Sequence, residues 1–188
     1  MTDREPSTDE QVVALALENA SAFAELVTRY EPKLLRYVRR LGVSQLQDAE
    51  DLLQNVFLKV YRNLNGFDRK LSFSSWIYRI THNEVVSFFR KNSARPQGHY
   101  IDDAEKVLER MKNGDDTSDL AELNIKKEGL EKALSSINKK YRHIIILRYF
   151  EEREYKEISD ILKIPIGSVG TLLYRAKKAL KKSINKTG

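Results

Sequence analysis

The stretch YKEISDILKIPIGSVGTLLYRAKKALKKSI, residues 155–184, decides how the whole chain is read. Ile158, Leu162, Val169, Leu172, Leu173, Ala176, Leu180 and Ile184 recur at three- and four-residue steps, the period of helices buried along one stripe. Pro165 cannot continue a helix, so the spacing predicts a short helix over 155–162, a turn over 163–166 and a second helix over about 167–184. Small Ser159 suits the close approach of the pair, and Ile164 packs in the turn. This is helix-turn-helix spacing. The outer stripe of the second helix carries Thr171, Tyr174, Arg175, Lys178, Lys181 and Lys182, with Ser168 at its start, and no acidic residue follows Asp160 in the remaining 28 positions. A Lys-rich terminal helix alone is as often a solvated face as a nucleic-acid contact. A basic stripe opposite a packing stripe, on the second helix of such a motif, favours nucleic acid.

Upstream, helical spacing continues and no run alternates as a strand would, so the chain reads as all-α. A short helix is expected near 9–18. Ser21 is expected to cap a second helix in which Phe23, Leu26, Val27, Tyr30, Leu34, Tyr37, Val38 and Leu41 share a face, with Pro32 kinking or breaking it and Gly42 ending it. Ser44 and Gln47 form a capping-box pattern for a third helix, which buries Leu52, Leu53, Val56, Val60 and Leu64 and stops at Asn65-Gly66. A fourth begins after Leu71 or Ser72, buries Phe73, Trp76, Ile77, Ile80 and Phe88, and runs to about Lys91.

The chain has 188 residues with 33 Lys plus Arg against 27 Asp plus Glu, a net charge of +6 that points to a polyanionic partner. The charge is uneven: residues 1–60 carry 7 basic and 10 acidic side chains, 61–120 carry 10 and 9, and 121–188 carry 16 and 8. Between 93 and 122 there are four basic and eight acidic residues, scattered Pro and Gly and no sustained apolar face, which reads as a flexible acidic linker, helical at most over 104–111. Beyond it Leu123, Leu130, Ala133, Leu134 and Ile137 make one helix, and Asn138 caps another containing Ile144, Ile145, Leu147 and Phe150. The expected organisation is an N-terminal helical bundle over 8–92, a linker over 93–119 and a helix-turn-helix domain over 120–186.

Two N-terminal strings suggest chemistry. Asp48-Ala-Glu50-Asp51-Leu52-Leu-Gln54 opens a helix acidic, which the helix macrodipole alone would favour. The segment 72–91 interleaves Trp76, Tyr78, Phe88 and Phe89 with Arg79, Arg90 and Lys91, a mixture suited to single-stranded bases that stack on aromatics while cations hold the backbone. Part of that aromatic set is core, Trp76 included.

Together these strings, D-A-E-D-L-L-Q, S-W-I-Y-R-I-T-H-N, the acidic linker, and Y-K-E-I-S-D-I-L-K-I-P-I-G-S-V with R-A-K-K-A-L, resemble a bacterial RNA polymerase sigma factor of the extracytoplasmic-function group of the sigma-70 family, over nearly the whole chain. The resemblance implies that Asp48, Glu50, Asp51, Leu52, Gln54 and Phe57 dock on the clamp helices of the polymerase largest subunit, with Asn55 replacing a customary acid. It implies that Trp76, Tyr78, Arg79, His82, Asn83, Arg90 and Lys91 serve minus-ten recognition, with flipped bases captured during promoter melting. It implies that Ser168, Thr171, Tyr174, Arg175, Lys178, Lys181 and Lys182 serve the minus-thirty-five element, Arg175 as a bidentate guanine contact. Gly170 and Leu172 stand where relatives frequently carry basic residues, which leaves more of the binding to phosphate contacts. Core polymerase, including its flap region, promoter DNA and a cognate anti-sigma factor are the implied partners. The resemblance also lends the linker carboxylates a role in the basic channel near the polymerase active site.

Other classes fall away on composition. No cysteine is present, so disulfide scaffolds, thiolate metal sites and Cys nucleophiles are excluded. The longest charge-free run is 164–174, too short to span a bilayer, and the acidic start is unlike a signal peptide, so a cytoplasmic protein without membrane insertion is expected. His82, His99 and His143 form no catalytic or metal motif, and Asp102, Asp103 and Glu105 read as solvated linker, so neither a catalytic residue nor a metal nor a cofactor is expected, and no enzyme. The alternative is a stand-alone helix-turn-helix regulator of duplex operators, which would not require the aromatic and basic segment 72–91.

Overall fold

A computed structural model describes residues 7–68, 71–92, 104–112 and 127–187. Every regular element among them is helical: α1 (Asp9–Glu18), α2 (Phe23–Arg40), α3 (Leu46–Asn63), α4 (Phe73–Lys91), α5 (Ala104–Lys112), α6 (Lys127–Ser136), α7 (Lys139–Ile145), α8 (Tyr155–Leu162) and α9 (Ile166–Thr187). The all-α, two-module expectation holds. Helices α1–α4 form the N-terminal module and α6–α9 the C-terminal one.

The local chemistry explains the element ends, and corrects three expectations. Thr8 and Gln11 form a reciprocal capping box on α1, with Thr8 N donating to Gln11 Oε1 at 2.8 Å. Ser21 does not cap α2; the Asn19 side chain instead accepts from Ser21 N at 3.0 Å and caps a 3-10 turn (Ala20–Ala22) that leads into it. The Ser44–Gln47 box does not form either, since α3 starts after Gln45 with no side-chain cap. Pro32 does not break α2, which runs on through it to Arg40. Gly42, at φ 108°, closes α2 with paired bonds from Gly42 N to Arg39 O and from Val43 N to Val38 O, a conformation that favours glycine. The fourth helix begins after Ser72, one of the two expected starts, and Ser72 caps it, accepting from Ser75 N at 3.3 Å.

The N-terminal core is built on Val12, Leu26, Leu34, Tyr37, Val56, Val60, Phe73 and Ile77, all buried. Leu130, Ala133, Ile144, Ile158, Val169, Ala176 and Leu180 do the same for the C-terminal module. Asn138 caps α7, accepting from Lys140 N at 2.9 Å, and the chain then widens into a π-helical turn (Ile146–Phe150). In the linker, α5 has a packed face that the composition did not reveal: Val107, Leu108 and Met111 are buried, and α5 lies against the π-turn and α6. Leu123, Asp102, Asp103 and the side chain of Glu105 lie outside the described residues, as does His99.

Candidate functional site

Three surfaces carry candidate function. The first is an apolar groove of about 970 Å³ between α2 and α3. Phe23, Val27, Pro32 and Leu35 form one wall, and Leu53, Gln54, Phe57, Leu58 and Tyr61 form the other, with Glu31 and Glu50 on the rim. Leu58 and Tyr61 are about half exposed, at 51% and 46%, although both are large and apolar. Of the expected docking residues, the groove gathers Glu50, Gln54 and Phe57. Asp48 and Asp51 are exposed outside it, on the acidic first turns of α3. Leu52 is buried, so its side chain belongs to the core and not to a contact surface. The α2 wall, Leu58 and Tyr61 line the same groove and were not among the expected residues. Their signal was available: α3 carries more apolar residues than one buried stripe needs.

The second surface is a cleft of about 420 Å³ lined by Lys59, Asn63, Gly66, Trp76, Ile80, Asn83 and Glu84. Trp76 is held from behind by Phe67 and Phe73, with ring centroids at 4.9 and 5.8 Å. Lys59 Nζ and Glu84 Oε1 bridge α3 to α4 at 2.6 Å. An indole ring, two side-chain amides and an ion pair give a stacking surface with donors and acceptors around it, in a space large enough to admit a nucleobase. Sequence reading found Trp76 and Asn83 and missed the partners from α3, which lie about twenty positions earlier in the chain.

The expected single face of α4 is in fact two. Trp76, Ile80 and Asn83 follow one helical stripe into the cleft, whereas Tyr78 and His82 follow another toward the C-terminal module. Tyr78 is buried and donates from Oη to Glu151 Oε2 at 2.9 Å; burial first, then the Glu151 carboxylate, pushes its phenol well above the ordinary range. His82 Nε2 lies 3.0 Å from His143 Nδ1. Tyr78 is thereby closed to a ligand, and His82 is half-buried with its Nε2 turned to His143. Arg79 is half-buried, and Arg90 and Lys91 are exposed at the end of α4.

Burial pulls His82 down from 6.5 to about 4, with Asn83 opposing, so the folded ring is neutral where an unfolded one would take a proton. The contribution to stability is complete above about pH 6.5 and is lost as pH falls toward about 4, at up to ~1.4 kcal/mol per pH unit. Urea midpoints at pH 7, 6 and 5 should fall more steeply for the natural chain than for His82→Gln; parallel curves would contradict the assignment.

The third surface is the outer stripe of α9. Lys163, at φ 54° and ψ 49°, turns the chain after α8, and Ser159 Oγ donates to Ile164 O at 2.7 Å to hold the turn. Val169, Leu173, Ala176 and Leu180 are buried inward. Ser168, Thr171, Tyr174, Arg175, Lys178 and Lys182 are exposed outward, while Lys181 is half-buried and engaged within the chain. Gly170 is not crowded, since an added Cβ would meet only Tyr155 Cε2 at 3.5 Å. Among the described residues no cluster of metal-ligating side chains occurs, and no helix is long and apolar enough to cross a membrane.

Residues 26–95 match the family model for Sigma-70 region 2, and residues 127–180 match that for Sigma-70, region 4. The chain is 29% identical over 174 residues to the ECF RNA polymerase sigma factor SigW of Bacillus subtilis (strain 168), covering 87% of this chain and 89% of that one. Its fold is similar to that of CnrH, solved in complex with the cytosolic domain of CnrY, with a TM-score of 0.69 at 21% identity over 96% of this chain and 99% of that one. It is also similar to the sigma factor RpoE of Bartonella quintana, solved in complex with the anti-sigma factor NepR, with a TM-score of 0.60 at 20% identity over 87% and 96% of the two chains. With both modules matched in order, the chain belongs to the sigma-70 family of bacterial RNA polymerase sigma factors, in its extracytoplasmic-function group.

Proposed function

We propose that this transcription initiation factor uses its three surfaces in a division of labour: the α2–α3 groove docks on the clamp helices of core polymerase, the Trp76 cleft takes an unstacked minus-ten base, and the α9 stripe reads the minus-thirty-five duplex. The Trp76 cleft is the observation that carries this reading, because a regulator of intact duplex has no need of a recess that can admit an unstacked base against an aromatic cluster. Lys59, Asn63, Asn83 and Glu84 supply polar edges to discriminate the captured base, and Arg90 and Lys91 lie where α4 ends, able to follow a phosphate backbone. The groove is also the surface that a cognate anti-sigma factor would have to cover to silence docking. Reconstituted transcription with core polymerase on a randomised promoter library tests the whole reading. Specific initiation with core, and weak binding of promoter duplex without it, is the expected result. Tight sequence-specific duplex binding by the chain alone, with no initiation when core is added, would defeat it.

The α9 stripe divides further. Arg175→Ala should cost about 1–3 kcal/mol at one upstream base and relax preference there. Lys182→Ala should weaken all sequences alike and lower the salt slope by about one unit. Lys182 takes the place of Lys181 in this test because Lys181 is half-buried and already engaged. Equal effects of the two substitutions on sequence preference would show the roles to be misassigned.

A further inference from the structure

A further recess, of about 540 Å³, shares no lining residue with the α2–α3 groove or the Trp76 cleft. Five cations line it: Lys33, Arg36 and Arg40 from α2, Arg110 from α5 and Arg153 from the turn that precedes α8. Glu151 and Glu152 are the carboxylates of its wall. The three α2 cations stand three and four positions apart, so they follow one helical stripe and repel one another. Such a stripe on a helix by itself would be a solvated face. Here Arg110 and Arg153 bring two more cations to the same recess, from elements at least seventy positions later in the chain.

The two carboxylates do not cancel this charge. Glu151 is committed on both oxygens, with Oε1 at 2.5 Å from Arg40 Nη1 and Oε2 accepting from Tyr78 Oη at 2.9 Å. Glu152 pairs with Arg110 at 2.6 Å, but the side chains are 63% and 40% exposed. An ion pair that open to water contributes little, so an incoming anion can take over Arg110 at small cost. Lys33 and Arg36 are exposed and have no carboxylate partner among the described residues. Open cations around a recess of this size suit phosphate oxygens, and each guanidinium presents a planar fork to two of them. The aromatic residues of the wall are otherwise engaged. Tyr78 and Phe150 are buried, with the Arg153 guanidinium 4.1 Å from the first ring centroid and that of Arg40 5.3 Å from the second. Neither ring offers a face on which a base could stack, so recognition falls on the phosphates.

We propose that this recess binds condensed phosphates, the diphosphate or triphosphate group of a small molecule, with Arg36 and Lys33 as the first contacts and Arg110 recruited from Glu152. Two or more linked phosphates carry enough charge and reach to engage α2 and α5 together, whereas a single phosphate meets fewer of the cations. The site stands on the recess alone and does not depend on the docking or promoter roles proposed above.

Inorganic triphosphate, GTP and GMP, titrated calorimetrically into the full chain at about 150 mM salt, separate the sources of such a group while long-range attraction is screened. Inorganic triphosphate and GTP should bind alike, and GMP about tenfold more weakly. Arg36→Ala should weaken triphosphate binding about tenfold, and Arg36→Lys by less, since an ammonium keeps the charge without the fork. Glu152→Gln should strengthen it several-fold by freeing Arg110. Lys178→Ala, on the exposed stripe of α9, should leave it unchanged. Bound triphosphate should slow amide hydrogen exchange over 107–112 and 150–153. Absence of triphosphate binding in the millimolar range, GMP binding as tightly as triphosphate, or binding lost with Lys178→Ala but kept with Arg36→Ala overturns the site. GTP binding where inorganic triphosphate does not overturns recognition through phosphates, and unchanged or weaker binding by Glu152→Gln overturns the recruitment of Arg110. Promoter duplex whose affinity falls with Arg36→Ala, while triphosphate stays unbound, would make the recess a DNA contact instead.

Discussion

Arg142→Ala should destabilise the C-terminal module by about 3 kcal/mol or more, the larger of the stability effects expected here. Arg142 is buried beneath α6 and donates from Nε to Leu134 O at 2.7 Å and from Nη2 to Ser135 O at 2.8 Å and Ile137 O at 3.2 Å. Those carbonyls are the unpaired acceptors that every helix C-terminus leaves behind. One guanidinium answers three of them, and burial lowers its pKa without a paired carboxylate in the set. Alanine would strand the carbonyls and open a void. Arg142→Lys should recover only part of the loss, because an ammonium on a flexible stem cannot reproduce the planar fork. Hydrogen exchange of α7 and α9 amides in the full chain should accelerate in that order of severity; protection within twofold of the natural chain for the alanine variant would rule the account out. Upstream-element binding should fall in parallel, since α7 and α6 both brace α9.

Leu58→Glu should weaken binding to core polymerase by about thirtyfold or more, equivalent to at least ~2 kcal/mol at an interface hot spot. Leu58 is 51% exposed, so the substitution leaves the core of α1–α4 intact. In a complex, however, the new carboxylate would be desolvated in an apolar groove whose rim already carries Glu31 and Glu50. Leu15→Glu, at a similarly exposed leucine of α1 outside the groove, is the matched control and should bind normally. Equilibrium binding to core polymerase separates the two. Affinities for both variants within threefold of the natural chain would remove the groove from the docking surface.

Helix existence was legible because it depends on local spacing. The periods that placed α4 over Phe73–Lys91 and α8 and α9 around Pro165 are set by 3.6 residues per turn and by a proline without an N–H, and neither needs a distant partner. The exposed stripe of α9 followed from the same arithmetic, apart from Lys181, whose side chain is engaged within the chain. Caps were less legible. Ser44 and Gln47 satisfy the pattern of a capping box, yet the backbone enters α3 at Gln45, so their bond has no geometry in which to form.

Sequence alone determined that this is a two-module helical protein with a basic reading helix, an acidic-to-apolar α3 and an aromatic, basic α4, because composition and period report which face of each helix is buried. Tertiary structure alone decided which exposed residues share a site. Lys59 and Asn63 join Trp76 and Asn83 only because α3 packs on α4, and Leu58 lines a groove only because α2 supplies the opposite wall. The family resemblance implied Tyr78 and His82 as DNA contacts, but they lie across the helix from the cleft, where Glu151, Arg153 and His143 pack against them. Pairings over sixty to more than a hundred positions, such as His82 with His143 and Arg40 with Glu151, leave no periodic trace in a sequence. They arise from how two separately patterned modules come to rest against each other.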